Sequence, residues 1–244
     1  PVKPGINVGD TGAGLHCAIG ILAALNQRHR TGVGQRVEVT MQESVINFAR
    51  IAYAAQYHFK TAAPRAGNQS IMAGTSPSEA YRCAGGGSND YCYVYTTRAG
   101  NDHWHKLLKV IGREDLLGDA RFDSPQLRYK NQRDVDEIVS AWTCNYDKRT
   151  VMKLLGEAGV PASAVFDTLE LQNDDHLRER GMFVTVDHPE RGAMVIPGCP
   201  IHLSESPVNV TPSPLLGAHN AAVYGDLLGV DAKELERLQA QGAI

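Results

Sequence analysis

The chain has 244 residues, 43% of them hydrophobic, enough to bury a sizeable core in one large domain or two small ones. Lys and Arg total 24 against 27 Asp and Glu, a net charge of -3 with no long run of either sign, so electrostatics favours neither nucleic acid nor an anionic membrane as partner. The five cysteines, Cys17, Cys83, Cys92, Cys144 and Cys199, stand outside any CxxC or Cys/His metal spacing and fit a reduced, cytoplasmic setting.

The segment from Pro1 to Asp10 has no signal-peptide pattern. It opens without an initiator methionine and reads as the loop-like start of a fragment or processed chain. Residues 15 to 27 are apolar on nearly every side, which predicts a helix buried in a larger assembly and too short to span a bilayer. The run Thr31-Gly-Val-Gly34 breaks that helix. From Gln35 to Met41, Val37, Val39 and Met41 alternate with Glu38 and Thr40, the pattern of a half-buried strand. Thr40 and Glu43 have capping-box spacing ahead of a second helix, in which Val45, Phe48, Ala49 and Ala52 recur at helical intervals up to about His58.

Lys60 to Pro77 is rich in Gly, Ala, Ser, Thr and Pro without periodicity and reads as a long loop or domain crossing. Beyond it Glu79 to Ala84 and Tyr91 to Thr96 have strand character around a glycine-rich turn at Gly85 to Asp90. Three amphipathic helices follow, marked by Trp104/Leu107/Leu108/Ile111, Val135/Ile138/Val139/Trp142 and Val151/Leu154/Leu155/Ala158, to make a small α+β unit. Gly159 and Pro161 end the third helix. Next come strand-like runs at 162–166, 182–186, 193–196 and 201–204, a helix around Leu169 to Arg180, and terminal helices from about His219.

The candidate chemistry sits at Gly9-Asp-Thr-Gly-Ala-Gly-Leu-His16, an aspartate among three glycines just before the apolar helix. One reading is an N-cap, for which Asp10 and Thr11 are both suited. The other makes the Asp10 carboxylate a nucleophile, with the amides near Gly12 and Gly14 as candidate oxyanion donors. The two are compatible. His16 is either a residue lining that pocket or a hydrogen-bonded core histidine. The pair His103-Trp-His105 points its rings to opposite sides of a helix, so no metal site is expected there. Gly85-Gly-Gly87 lacks the Lys-Ser/Thr of a phosphate loop.

Gly9 to His16 with its helix, Arg30-Thr-Gly-Val-Gly-Gln-Arg-Val-Glu-Val-Thr-Met-Gln-Glu-Ser-Val45, Arg65-Ala-Gly-Asn68, Val186-Asp-His-Pro-Glu-Arg-Gly192 and Pro214-Leu-Leu-Gly-Ala-His219 resemble successive blocks of the family III CoA-transferases (CaiB/BaiF), close to the formyl-CoA transferase branch. The resemblance runs over essentially the whole chain, in order. It implies an α/β protein, part of a Rossmann-like large domain plus a small α+β domain, in an interlocked homodimer. Residues 1–60 are then a large-domain segment with the catalytic aspartate, 61–168 the small domain with its connecting loops, and 169–244 a return to the large domain.

By position Asp10 falls on the family's catalytic aspartate. The family activity is movement of CoA from an acyl-CoA thioester to a carboxylic acid, formyl-CoA:oxalate-like or dicarboxylate-specific, through an aspartyl anhydride and an aspartyl-CoA thioester, without metal. Coenzyme A enters as the acyl-CoA substrate, and an amino-terminal half supplies most of its binding groups. Where the family carries a glycine-rich mobile lid, this sequence has Gln69-Ser-Ile-Met-Ala-Gly-Thr-Ser76, so Gly74, Thr75 and Ser76 are the candidate lid residues. Two other readings stay open: an acyl-CoA racemase or epimerase of the same family, and a non-catalytic structural half that needs a separate amino-terminal chain.

Overall fold

A computed structural model describes residues 5–69, 71 and 74–244. The chain divides into two compact units, one running to Val165 and the other Phe166–Ile244.

In the first unit α1 (Val8–Thr31) begins seven residues earlier than the apolar run suggests and takes in all of Gly9–Gly14. It ends at Gly32, whose φ of 73° is the left-handed conformation open to glycine and lets its N–H reach Arg28 O. By length and composition this 24-residue helix is apolar enough to cross a bilayer, which corrects the expectation that no segment is.

The strand expected from Gln35 to Met41 does not form. Residues 33–40 belong to no helix and pair with no strand among the described residues, and a strand exists only as a member of a ladder. Val37 instead packs on α1, its Cγ1 only 2.8 Å from where a Cβ on Gly20 would lie. Met41 opens α2 (Met41–Phe48), capped by Thr40, whose Oγ1 accepts the Glu43 N–H and donates to Glu43 Oε2. The single helix expected to His58 is two, since the chain bends at Ala49 before α3 (Arg50–Phe59).

From β1 (Ser78–Arg82) onward the unit closes on itself. β1 pairs antiparallel with β2 (Tyr91–Tyr95), and β3 (Ala162–Ala164) adds antiparallel to the other edge of β2. The three expected helices are α4 (Asp102–Val110), α6 (Gln132–Thr143) and α7 (Lys148–Glu157); a 3₁₀ turn at Glu114–Leu116 and a short α5 (Pro125–Lys130) lie between α4 and α6. Their apolar stripes meet in one core of Trp104, Leu107, Leu108, Phe122, Val139 and Leu155, against Val94 and Cys92 of the sheet. Burial there pushes the Cys92 thiol up to about 12, so it packs as a small hydrophobe. All five cysteines are free.

In the second unit the helix expected near 169–180 is two short ones, α8 (Thr168–Gln172) and α9 (Asp175–Glu179). Asp167 and Asp174 each cap one, so the second cap interrupts the first helix. β4 (Phe183–His188) and β5 (Gly192–Pro197) make an antiparallel hairpin. Residues 201–204 form no strand, again for want of a pairing neighbour among the described residues. The chain ends in a π-helical turn, Ala221–Leu227, and α10 (Ala232–Ala240).

Candidate active site

Asp10 lies in the first turn of α1, at its third residue, with its side chain exposed. That corrects the N-cap reading. The N-cap position is Asn7, which makes no side-chain capping bond. A carboxylate in the first turn interacts favourably with the positive end of the helix dipole.

The glycines that looked like a loop are helical, and they do different jobs. In an α-helix the N–H of Gly12 belongs to Val8 O and that of Gly14 to Asp10 O, so neither is free to bind an oxyanion while α1 is intact. This corrects their expected role. The amides left without an intrahelical acceptor at such a start include those of Gly9 and Asp10. Gly12 is buried because Phe48 of α2 lies on it: a Cβ there would sit 2.3 Å from Phe48 Cε2. Gly9 faces Met41 and Val45 of the same helix, whereas Gly14 has nothing within 4 Å.

With about 100° of turn per residue, Gly9, Gly12, His16 and Gly20 share one face of α1, the face that receives α2 and Val37. Asp10, Gly14, Cys17 and Ile21 share another, roughly 120° away. His16 is therefore not beside the Asp10 carboxylate. Its ring is half-buried, with Nδ1 2.7 Å from Gly12 O and Nε2 2.8 Å from Asn47 Nδ2. Of the two readings for this residue, the geometry matches the hydrogen-bonded histidine.

The lid expectation is also revised. Thr75 and Ser76 are 4% and 3% exposed. Thr75 Oγ1 donates to Thr96 O at 2.8 Å, while Ser76 O accepts from Thr96 Oγ1 at 3.2 Å and from Arg128 Nε at 3.1 Å. Two residues fastened in this way do not form a mobile cover. Gly74 is partly exposed, and a Cβ on it would meet the Arg98 guanidinium at 2.4 Å. Ser70, Met72 and Ala73 of the same stretch lie outside the described residues.

Arg128 had no signal in the sequence, being one of two cations, with Lys130, on a six-residue helix. It is fully buried, with Nη1 donating to Phe122 O and Asn101 Oδ1, both at 2.8 Å, and the guanidinium 5.4 Å from the Trp104 ring. Burial lowers its pKa to about 10, which leaves it charged at neutral pH, held by carbonyl and amide oxygens. Among the described residues no group of three His, Cys, Asp or Glu side chains is placed to hold a metal ion.

Residues 1–220 match the profile of CoA-transferase family III. The chain belongs to that family. It is 39% identical over 257 residues to the formyl-CoA:oxalate CoA-transferase of Streptomyces avermitilis and 34% identical over 261 residues to that of Rhodopseudomonas palustris HaA2. All of this chain aligns in both cases, to 62% and 61% of the relative. This family III chain thus spans about three-fifths of the length of the curated relatives it matches. A CAIB/BAIF family protein from Brucella suis has the same fold, with a TM-score of 0.75 at 23% identity over 93% of this chain and 57% of the other.

Proposed function

We propose that this chain is the Asp10-bearing part of a CoA-transferase that moves CoA from an acyl-CoA to a carboxylic acid. The observation that carries the reading is an exposed aspartate in the first turn of α1, within a chain that matches the family profile over residues 1–220. An aspartate carboxylate at neutral pH needs no base to act as a nucleophile.

Attack of the Asp10 oxygen on the thioester carbonyl forms a mixed anhydride, breaks the C–S bond and releases CoA thiolate. The thiolate then attacks the aspartyl carbonyl, breaking the anhydride C–O bond and freeing the donor acid as its carboxylate. The acceptor carboxylate displaces the thiolate from the resulting aspartyl-CoA thioester, and the thiolate's return to the acceptor's acyl carbon regenerates Asp10. The relatives' names support formyl-CoA and oxalate as donor and acceptor. Of the three expected lid residues, Gly74 is the one kept as a candidate.

The same reading includes an amino-terminal segment that completes the CoA site, a homodimer and a cytoplasmic setting. Residues 1–60 and 169–244 are then parts of one large domain and 61–168 the small one. The shorter span relative to the relatives and the wide apolar exposure of α1 support the added segment. The five free cysteines support the reducing compartment.

The test is peptide mass mapping after incubation with formyl-CoA, oxalyl-CoA and succinyl-CoA and trapping with hydroxylamine, in the chain assembled with an amino-terminal segment like its relatives'. A hydroxamate at Asp10 is expected. It should be absent from Asp10→Asn, whose stability should fall by no more than the lost helix-dipole interaction, about 0.3–1 kcal/mol. An unmodified Asp10 in an assembly that binds CoA would overturn the covalent route.

A further inference from the structure

The start of α1 has no side-chain cap of its own, yet the nucleophile proposed above stands in its first turn. What holds that turn is α2. Met41 and Val45 lie against Gly9, Phe48 lies on Gly12, and one turn further on the contact becomes polar. A carbonyl can only accept, so the 2.7 Å contact to Gly12 O puts the His16 ring proton on Nδ1. Nε2 then presents a lone pair, and Asn47 Nδ2 donates to it at 2.8 Å. The orientation of the Asn47 amide is fixed in turn by Arg50, whose Nε donates to Asn47 Oδ1 at 2.6 Å. The Phe48 ring packs beside the imidazole, centroids 5.4 Å apart.

We infer that Asn47, backed by Arg50, is a positioning residue: through His16, held as the Nδ1–H tautomer, it seats α2 on the second turn of α1 and so fixes the direction in which the first turn presents Asp10. The apolar part of this contact is a phenyl ring on a glycine, which allows sliding; the directional chain Arg50 to Asn47 to His16 to Gly12 O does not. Gly12 O at Nδ1 and Asn47 Nδ2 at Nε2 select the same tautomer together, so removing Asn47 weakens that selection.

The catalytic part of this inference rests on Asp10 being the nucleophile; the relay does not. In the wild-type protein a long-range ¹⁵N–¹H spectrum of the neutral His16 ring should show its proton on Nδ1. Asn47→Leu should give a mixture of tautomers and exchange of the 11–15 amides faster by about tenfold or more. In the assembled enzyme it should slow hydroxamate formation at Asp10 by about tenfold or more at unchanged acyl-CoA KM, since small misplacements of a reacting group cost that much. Arg50→Met, at an exposed position that leaves folding intact, should release the Asn47 amide to turn and give the same mixture to a smaller degree. Phe48→Leu, which loosens packing only, should lower the unfolding temperature and keep the Nδ1–H spectrum.

A wild-type ring protonated on Nε2, or an Asn47→Leu protein with wild-type exchange and trapping, would overturn the inference. If the wild type is never acylated, the nucleophile reading falls by itself, and the spectrum and amide exchange still decide the relay.

Discussion

The segment from Ser78 to Ala164 and the three helices from Val8 to Phe59 both carry many apolar residues, yet those residues end in opposite states. In the first, Trp104, Leu107, Leu108, Val135, Val139, Val151 and Leu155 are all within 1% of full burial. In the second, Leu15, Ile19, Leu22, Phe48, Ile51 and Tyr57 are each more than half exposed. The difference is one of partners. α4, α6 and α7 have single apolar stripes that a three-stranded sheet can cover, whereas α1 is apolar around most of its circumference and α2 covers only the glycine-bearing side. A contiguous exposed apolar surface of that extent marks an interaction site.

The largest effect that sharpens this contrast is in the core. Trp104→Ala should cost about 3–5 kcal/mol in denaturant unfolding, the range for emptying a packed aromatic site. Leu22→Ala, at a position 67% exposed, should cost less than about 0.5 kcal/mol in the same chain. Equal losses would break the comparison. Assembly with an amino-terminal segment should raise the cost at Leu22 and leave that at Trp104 unchanged.

A smaller, signed effect tests the one side of α1 that is covered. Gly12→Ala puts a methyl into the Phe48 ring and should destabilise by about 1–3 kcal/mol, the usual cost of overpacking. Gly14→Ala, two residues on with open space around it, should stabilise by up to about 1 kcal/mol through helix propensity. Both are read from thermal unfolding. If Gly14→Ala also destabilises, the exposed side of α1 already has a cover in solution.

How far these features were legible in the sequence follows the same division. The helices and hairpin between Ser78 and Ala164 were readable because they carry their periodicity and their partners within about ninety residues, so local pattern and final environment agree. The strand at Gln35 to Met41 was misread for the opposite reason: alternation signals a strand, but no ladder forms around Val37 and Val39 among the described residues. At the site, Asp10 stood out through its glycine neighbours, while the reason for Gly12, a Phe48 ring 36 residues later in sequence, could not be seen locally. Arg128 and Asn47 left no signal because their partners, Ser76 O and His16, meet them only through the fold.

The smallest effect lies where the closed region meets solvent. Tyr81 on β1 donates its hydroxyl to Asp136 Oδ1 of α6 at 2.5 Å, and Asp136 is half-buried. Burial pushes the Asp136 carboxyl above the usual carboxylate range, and nearby Glu79 pushes it further, while the Tyr81 hydrogen bond pulls it part-way back. The folded state therefore binds this proton more tightly than the unfolded chain does. Its contribution to stability is full below the unfolded pKa and is lost as pH rises through the folded one. Asp136→Asn keeps an oxygen for the Tyr81 hydroxyl and removes the titration, so the fall in stability just above the ordinary aspartate range should flatten relative to wild type. Urea unfolding at a series of pH values reads this directly. A steeper fall in the variant would mean that Asp136 is stabilised as the anion, and that the Tyr81 bond, not burial, dominates where α6 meets the sheet.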